Sequence, residues 1–457
     1  MSFDSFAKMA QAFLKLGCEQ LLIRPLAENQ DNEKNQIYLG YNHGFIGLLP
    51  GTVSFRGPSG STRKPGSNSG KSIIETALPF SWINEEEEPA LAPHAKIIDY
   101  FQYPEMRFSG FMQGCSNPPD ALRRNHQDEY GRRVLVLGYT AAAVFGTVIT
   151  DRKSTFVDQL LALPSWSIHE LFKVHPLVKN SLIDPSLLLT ELREVGGGRK
   201  FKGQKLEALG TKPKPFSGTQ AAGWTLESIL EIPMNSKSGP DKYGFELKTF
   251  LRNKITLMTT EPDFGYRHDD GLTSFLEKYG WDGTKNDGSL RFNGKHNTLR
   301  VYEKSKLQLR ILNWDKQKNE PDGKGDPNVV LINPLKPNEI AAGWTFNKLA
   351  EKWGRKHAGA MYVQATRYET ITKRGIPSFT YGPEVHCGRG TSPIYLLRAI
   401  ASGYIYLDPG DRVYLKVTED AKNDEKKRTQ WRVDKQRGVP LANSLSALYD
   451  ELKTYQI

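Results

Sequence analysis

Cysteine is scarce in this chain, with three residues in 457: Cys18, Cys115 and Cys387, far apart and without a Cys-x-x-Cys pair. So few and so scattered, they argue against a disulfide framework and a structural zinc site, and they fit a reducing cytoplasm. Long apolar runs are missing as well. The first twenty residues interleave apolar side chains with Asp, Lys, Glu and Gln, leaving no stretch for a signal peptide or a membrane span. Phe6, Met9, Phe13 and Leu16 recur at helical spacing instead, so residues 3–17 read as an amphipathic packing helix. Negative charge is the rarer sign, 51 Asp and Glu against 62 Lys and Arg, for a net +11. Such a balance attracts polyanions, and nucleic acid is the commonest of these for a soluble protein.

The length suggests two domains, and the composition shifts near residue 200. Three consecutive glycines at 196–198, a basic run and Lys-Pro-Lys-Pro at 212–215 make residues 195–218 read as a basic linker, or a loosely held basic strap, between units 1–194 and 219–457. The first unit shows short β-like runs at 36–41, 106–112 and 133–139. Between them lie long polar loops, including the Gly/Ser/Lys-rich stretch 57–71 and the acidic run 85–88. With helices at 3–17, 156–172 and 184–192, this predicts a β-barrel-like module. The second unit alternates helices (225–231, 271–279, 346–356, 392–402) with strands (245–249, 254–259, 360–365, 405–407, 412–417) and a hairpin-like pair at 298–302 and 306–314. That pattern predicts an α/β domain on a mixed sheet. Ala-Ala-Gly-Trp-Thr occurs at both 221 and 341 and reads as two similar helix starts, Thr225 and Thr345 each able to cap.

Residues 239–248 read Gly-Pro-Asp-Lys-Tyr-Gly-Phe-Glu-Leu-Lys. On a strand, Glu246 and Lys248 project to one side while Phe245 and Leu247 enter the core. Asp241, delivered by the preceding turn, can join Glu246 in holding Mg2+, a hard cation that takes oxygen ligands and keeps several waters. Lys248 would then place a fixed positive charge beside a phosphate or orient a water. An ordinary acidic turn before an amphipathic strand fits the same residues, so the surroundings decide.

Those surroundings resemble the MvaI/BcnI family of restriction endonucleases, relatives of the mismatch-repair nickase MutH. Gly-Trp-Thr-Leu-Glu at 223–227 is similar to the family's first acidic helix, with Glu227 fourteen positions before Asp241. The Asp-x4-Glu-x-Lys core follows, then Ile-Thr-Leu-Met-Thr at 255–259, 275–281, 344–349 leading to Lys356, 397–408 and Thr-Gln-Trp-Arg at 429–432. The resemblance covers about 219–457. It implies a MutH-like α/β nuclease in which Asp241 and Glu246 bind Mg2+, Lys248 is the catalytic lysine, Glu227 lies beside the metal and Lys356 neighbours the active site. It also implies base reading by Asp408 and Arg432. The Asp-Pro-Gly-Asp-Arg run leaves open whether Arg412 stands for a nearby family arginine, and Lys427, Arg428 and Thr429 replace the family's histidines there. Arg suits guanine, and a carboxylate accepts from the cytosine amino group.

The first unit resembles the N-terminal effector domain of EcoRII, a DNA-binding β-pseudobarrel. Arg24 to Asn29 followed by Asn35 and Gln36 is similar to its first recognition arm. Glu105, Met106 and Arg107, a Gly-Cys loop and the run 133–138 are similar to its second arm and following strand. Together the resemblances imply a monomeric, bacterial, cytoplasmic, Mg2+-dependent type II (IIE-like) enzyme cutting double-stranded DNA at CCWGG. Its N-terminal domain would hold a second copy of the site. A central S in place of W stays open. Two other readings are a MutH-like repair nickase and a site-specific DNA-binding protein with an inactive nuclease half.

Overall fold

A computed structural model describes every residue except 1–2, 28–35, 41–47, 57–72, 86–87, 101–104, 124–128, 152–155, 163–165, 169–170, 178–184, 235–239, 253, 284–287, 358, 370–374, 415–424 and 435–439. The first helix, Phe6–Lys15, begins where the Ser5 side chain accepts from the Lys8 amide, and buries Met9, Ala12 and Phe13. It covers one face of a seven-stranded sheet ordered Trp166–Ile168, Phe172–Pro176, Gln20–Leu26, Arg133–Tyr139, Val144–Thr150, Phe80–Trp82, Ala90–Leu91. Alternation along the strands explains why both faces are apolar. Leu21, Ile23, Val134 and Val136 meet the helix, whereas Leu22, Leu135 and Leu137 point the other way. There they share a core with a five-stranded antiparallel sheet ordered Ile37–Gly40, Glu105–Ser109, Lys96–Tyr100, Ile73–Ala77, Thr52–Arg56. The helix expected over 156–172 is short, Val157–Ala162, because Trp166, Ile168, Phe172 and Val174 go into strands.

Helix Pro185–Val195 forms where expected, Asp184 itself lying outside the described residues. Its Leu188, Leu189 and Leu192 pack with Leu226, Phe245, Leu247 and Met361, so it belongs to the core of the second half. The expected linker also differs from a free tether. Phe201–Lys202 pairs with Ser378–Arg389, the Gly203 amide donates to Pro377 O (2.8 Å), and Gln204–Lys205 pairs with Lys214–Pro215. The polar backbone of this Gly- and Lys-rich stretch is satisfied partly by the second half and partly within the stretch, which a composition-based reading cannot foresee.

The central sheet there is mixed. Glu246–Phe250 runs parallel to Gly359–Tyr368, which pairs antiparallel with Ser378–Arg389, and Glu451–Gln456 joins that strand's outer part. A second sheet is ordered Lys254–Thr259, Gln430–Asp434, Ile405–Leu407. The expected hairpin at 298–314 is reduced to a Tyr302–Leu307 bridge. Gln308–Ile311 pairs instead with Val329–Ile332, whose four buried apolar residues take a strand on each side, the other being Ile340–Trp344. Edge strand Thr52–Arg56 of the first half meets helix Phe346–His357: the Val53 amide donates to Asn347 Oδ1 (2.8 Å), the Phe55 amide to Asp326 Oδ1 (3.0 Å), and Phe55 and Phe346 pack edge to face. Side-chain acceptors thus occupy amides that an open sheet edge leaves unpaired. No helix among the described residues is long and apolar enough to cross a membrane.

Candidate active site

The turn before Glu246 reverses tightly. Tyr243 (φ 49) and Gly244 (φ 78) take left-handed conformations, and the Asp241 amide donates to Phe245 O (3.0 Å). This folds Asp241 back against its own strand, where its Oδ2 accepts from the Leu247 amide (2.7 Å). Glu191 clamps the turn from the helix 185–195. Its carboxylate accepts from Lys242 Nζ and from the Tyr243 hydroxyl, each at 2.6 Å, and pushes the phenol up to about 12. Glu246 is 1% exposed and carries both lysines: Lys248 bonds its Oε1, and Lys356, arriving on helix Phe346–His357, lies 3.2 and 3.4 Å from its two oxygens. Glu227 faces this group from helix Ala221–Ile229. All five sequence-predicted catalytic residues therefore meet at one end of the strand.

Electrostatics separates the three carboxylates. Burial, the Asp241 charge and, more weakly, Glu246 push Glu227 up to about 7. Burial and the Glu246 charge push Asp241 up to about 6. Burial alone would raise Glu246 too, but Lys248 and then Lys356 hold it below the ordinary range. His357, buried and close to Lys248, is pulled down to about 3. It stays neutral between Leu257 O (3.1 Å) and the Tyr449 hydroxyl (3.2 Å). Among the described residues no three His, Cys, Asp or Glu side chains form a ready-made metal cage. The donor set nonetheless suits a hard divalent cation held by one or two carboxylates and otherwise by water and phosphate. Asp241 and Glu246 are hard oxygen donors whose mutual repulsion a cation would relieve.

A pH effect follows. Without metal, Glu227 and Asp241 bind protons more tightly in the folded chain than in the unfolded one. Their stabilisation is complete below the ordinary carboxylate pKa of about 4 and is lost as pH rises through 6 to 7. The loss is on the order of 3 kcal/mol for each group. It should appear as a falling urea midpoint between about pH 5 and pH 8 in chelator, with a flatter slope in Glu227→Gln. Equal slopes in the two proteins would show that Glu227 does not sit among like charges.

The second sheet presents a polar face of its own. Arg432 Nη1 donates to Asp408 Oδ2 (2.8 Å), Arg432 Nη2 bonds Gln430, and Lys254 Nζ reaches Asp408 at 3.3 Å. Lys295 binds both oxygens of Asp434, two residues further along the same face (3.0 and 3.1 Å). Arg412 lies elsewhere, on a strand paired with Ser289–Asn293, with its guanidinium over the Tyr414 ring. The structure thus joins Asp408 with Arg432 and leaves Arg412 on the neighbouring sheet. Sequence reasoning missed Gln430, Lys254 and Glu191. The alternation of Arg428, Gln430, Arg432 and Asp434 was the available signal for the first. None in the sequence links Glu191 to a turn fifty residues on.

Residues 201–441 match the MvaI/BcnI restriction endonuclease family. The chain belongs to that family. This makes it a site-specific DNA endonuclease with its nuclease in the second half. Among solved structures, MvaI bound to its cognate DNA aligns at 17% identity over 59% of this chain and 97% of that one, with TM-score 0.41. MvaI without DNA aligns at 16% identity over 59% and 96%, with TM-score 0.31. No curated protein matches the chain by sequence.

Outside the part matched to MvaI/BcnI enzymes, the structure brings some expected DNA contacts together. Arg107 pairs with Glu105, donates to Gln36 Oε1 (2.9 Å) and is held between the rings of Tyr38 and Tyr100 (4.7 and 4.9 Å). A groove of about 750 Å³ adjoins Gln36, bordered by Lys96, Ser109 and Arg123. Arg24 is spent on backbone: its guanidinium bonds Leu171 O and Tyr38 O, and burial lowers its pKa. Asn29 and Asn35 lie outside the described residues.

Proposed function

We propose that this chain is a monomeric, cytoplasmic type II restriction endonuclease of IIE character, cutting double-stranded DNA at CCWGG with Mg2+. The observation that carries the reading is the convergence of Glu227, Asp241 and Glu246 with Lys248 and Lys356 at the end of one strand. Mg2+, held by Asp241 and Glu246, would supply Lewis-acid activation of water and charge neutralisation at the leaving oxygen. Lys248 and Lys356 bring fixed positive charge to the phosphate, and the turn clamped by Glu191 keeps Asp241 in place. Glu227, raised toward neutrality, is suited to exchange a proton near neutral pH. One such centre per chain implies that the two strands are nicked in turn.

The N-terminal half is read as an EcoRII-type effector pseudobarrel that holds a second copy of the site, an order of modules that resembles the restriction enzyme UbaLAI. Its support is the mostly stranded fold and the Gln36–Glu105–Arg107 group. Glu and Arg suit a C and G of one pair, and Gln suits adenine. Digesting a plasmid with purified protein and sequencing the run-off ends tests the whole assignment. Discrete double-strand cuts at CCWGG support it. Binding without cutting, or nicks that require an added partner, would point to an inactive reader or a repair nickase. For the effector module, Arg107→Ala should reduce stimulation by added cognate duplex about 10-fold, on the scale of one lost base contact, while intrinsic cleavage changes little. Undiminished stimulation would remove Arg107 from the recognition surface.

A further inference from the structure

Arg267 is almost fully buried, yet its side chain bonds Thr429, Asp411 and Glu261 and no member of the catalytic group. Its Nη1 donates to Thr429 Oγ1 (2.8 Å) and lies 3.1 Å from Asp411 Oδ2. Its Nη2 reaches Glu261 Oε2 (2.6 Å) and Asp411 Oδ1 (3.3 Å). Asp411 is buried as well, and its Oδ1 also accepts from the Arg428 amide (2.8 Å). One guanidinium therefore ties together the two segments that carry Asp408 and Arg432, three residues from each of its contacts on them. The backbone repeats the tie: the Asp408 amide donates to Gln430 O (2.8 Å), and the Thr260 amide to Thr429 O (3.2 Å). Four residues before Arg267 the same segment turns to the catalytic side. Asp263 accepts from the Thr345 amide (2.9 Å) and hydroxyl (2.6 Å), and Thr345 caps the helix whose last turn places Lys356 on Glu246.

We propose that Arg267 is a positioning residue for base reading, and that the loop 260–267 couples the reading face to the helix that delivers Lys356. This rests on the reading above that Asp408 and Arg432 face base edges. Two arguments support it. A base contact tolerates little displacement, and an error near 1 Å elsewhere in a site can cost about 10²-fold in rate. A buried guanidinium with a rigid planar fork fixes four acceptors at once, which the single ammonium of lysine cannot do. A buried ion pair adds little net stability over apolar packing, so its value here lies in holding one arrangement.

The test uses the full chain with Mg2+ and two duplexes: the site defined by run-off sequencing, and the same site with one base pair replaced. Single-turnover cleavage is compared for Arg267→Lys, Thr429→Val, Asp263→Asn and Arg432→Ala, with thermal melting to record the folded fraction. Arg267→Lys is expected to lower cleavage of the true site about 10-fold more than that of the altered site, and Thr429→Val to shift the same ratio by about 3-fold, one neutral hydrogen bond's worth. Asp263→Asn cuts the link between the reading face and the catalytic helix and is expected to shift the same ratio by about 3-fold, whereas equal slowing of both duplexes would overturn the coupling. A merely structural role would reduce both duplexes equally in Arg267→Lys and leave the ratio at its parental value, and Thr429→Val guards against a lysine variant that fails to fold. If Arg432→Ala loses discrimination while Arg267→Lys and Thr429→Val keep it, the positioning role is wrong and the reading face stands. If Arg432→Ala keeps discrimination, the reading face falls and the positioning role with it.

Discussion

Asp241→Asn is expected to bind cognate duplex, to be at least as stable as the parent at pH 8, and to cleave about 10³-fold more slowly or worse, the scale seen when a preorganised charge is lost from an active site. The asparagine is isosteric and its carbonyl can still accept from the Leu247 amide, so the turn keeps its closure. What disappears is one of three buried negative charges. Asp241 is already pushed up to about 6 by burial and by Glu246, and Asp241 in turn raises Glu227. Removing the charge relieves both repulsions in the absence of metal, while on the proposed reading it deprives the site of a hard donor that would hold a divalent cation. A variant that gains stability as it loses activity marks a residue kept for chemistry and not for folding. Single-turnover cleavage, a band-shift assay in chelator and a urea melt read the three quantities. Cleavage within a few-fold of the parent would dismiss Asp241 from the metal site, and a large drop in the urea midpoint would recast it as a structural cap.

How much of this was legible in the sequence varied with how local the cause was. The strand 246–250 and its neighbour 254–259 were legible because alternating apolar residues meet a Gly-Pro turn, and the helix 271–279 because its apolar residues keep helical spacing. The repeated pentapeptide shows the limit. Ala-Ala-Gly-Trp-Thr at 221–225 lies inside a helix with Thr225 fully buried, its hydroxyl bonding the Gln204 backbone, whereas at 341–345 it ends a strand and Thr345 caps the next helix. Five identical residues take two conformations because Gln204 meets the first copy and Asp263 the second. Only the expected cap at Thr345 forms.

The candidate site divides along the same line. Asp241, Glu246 and Lys248 lie within eight residues, so the turn and strand alone could bring them together, and Lys356 was carried by family resemblance. Glu191 and Arg267 act across long sequence separations through side-chain hydrogen bonds, for which periodicity carries no signal. The linker misled for a related reason. Glycine, lysine and proline were read as loose chain, but backbone amides at 203 and 204 find acceptors in the second half, and composition says nothing about acceptors supplied from elsewhere.

Trp353→Ala should destabilise the nuclease half by about 3–5 kcal/mol. Trp353 is fully buried, stacks on His357 with ring centroids 4.0 Å apart, and donates its indole N–H to Thr391 Oγ1 (2.8 Å). It sits on helix Phe346–His357, three residues before Lys356, beneath the turn that brings Lys356 to Glu246. Truncation leaves a cavity that helix and sheet cannot close without moving, and the transfer and cavity terms add. Trp353→Phe separates packing from hydrogen bonding. It retains most of the ring volume and loses only the donor to Thr391, whose own hydroxyl still donates to Leu448 O, so it should cost about 1 kcal/mol. Because the helix carries Lys356, a lysine of the proposed active site, Trp353→Ala should also slow cleavage beyond its loss of folded protein, measured at a temperature where it remains folded. A rate that simply tracks the folded fraction would mean that Lys356 is positioned independently of this packing.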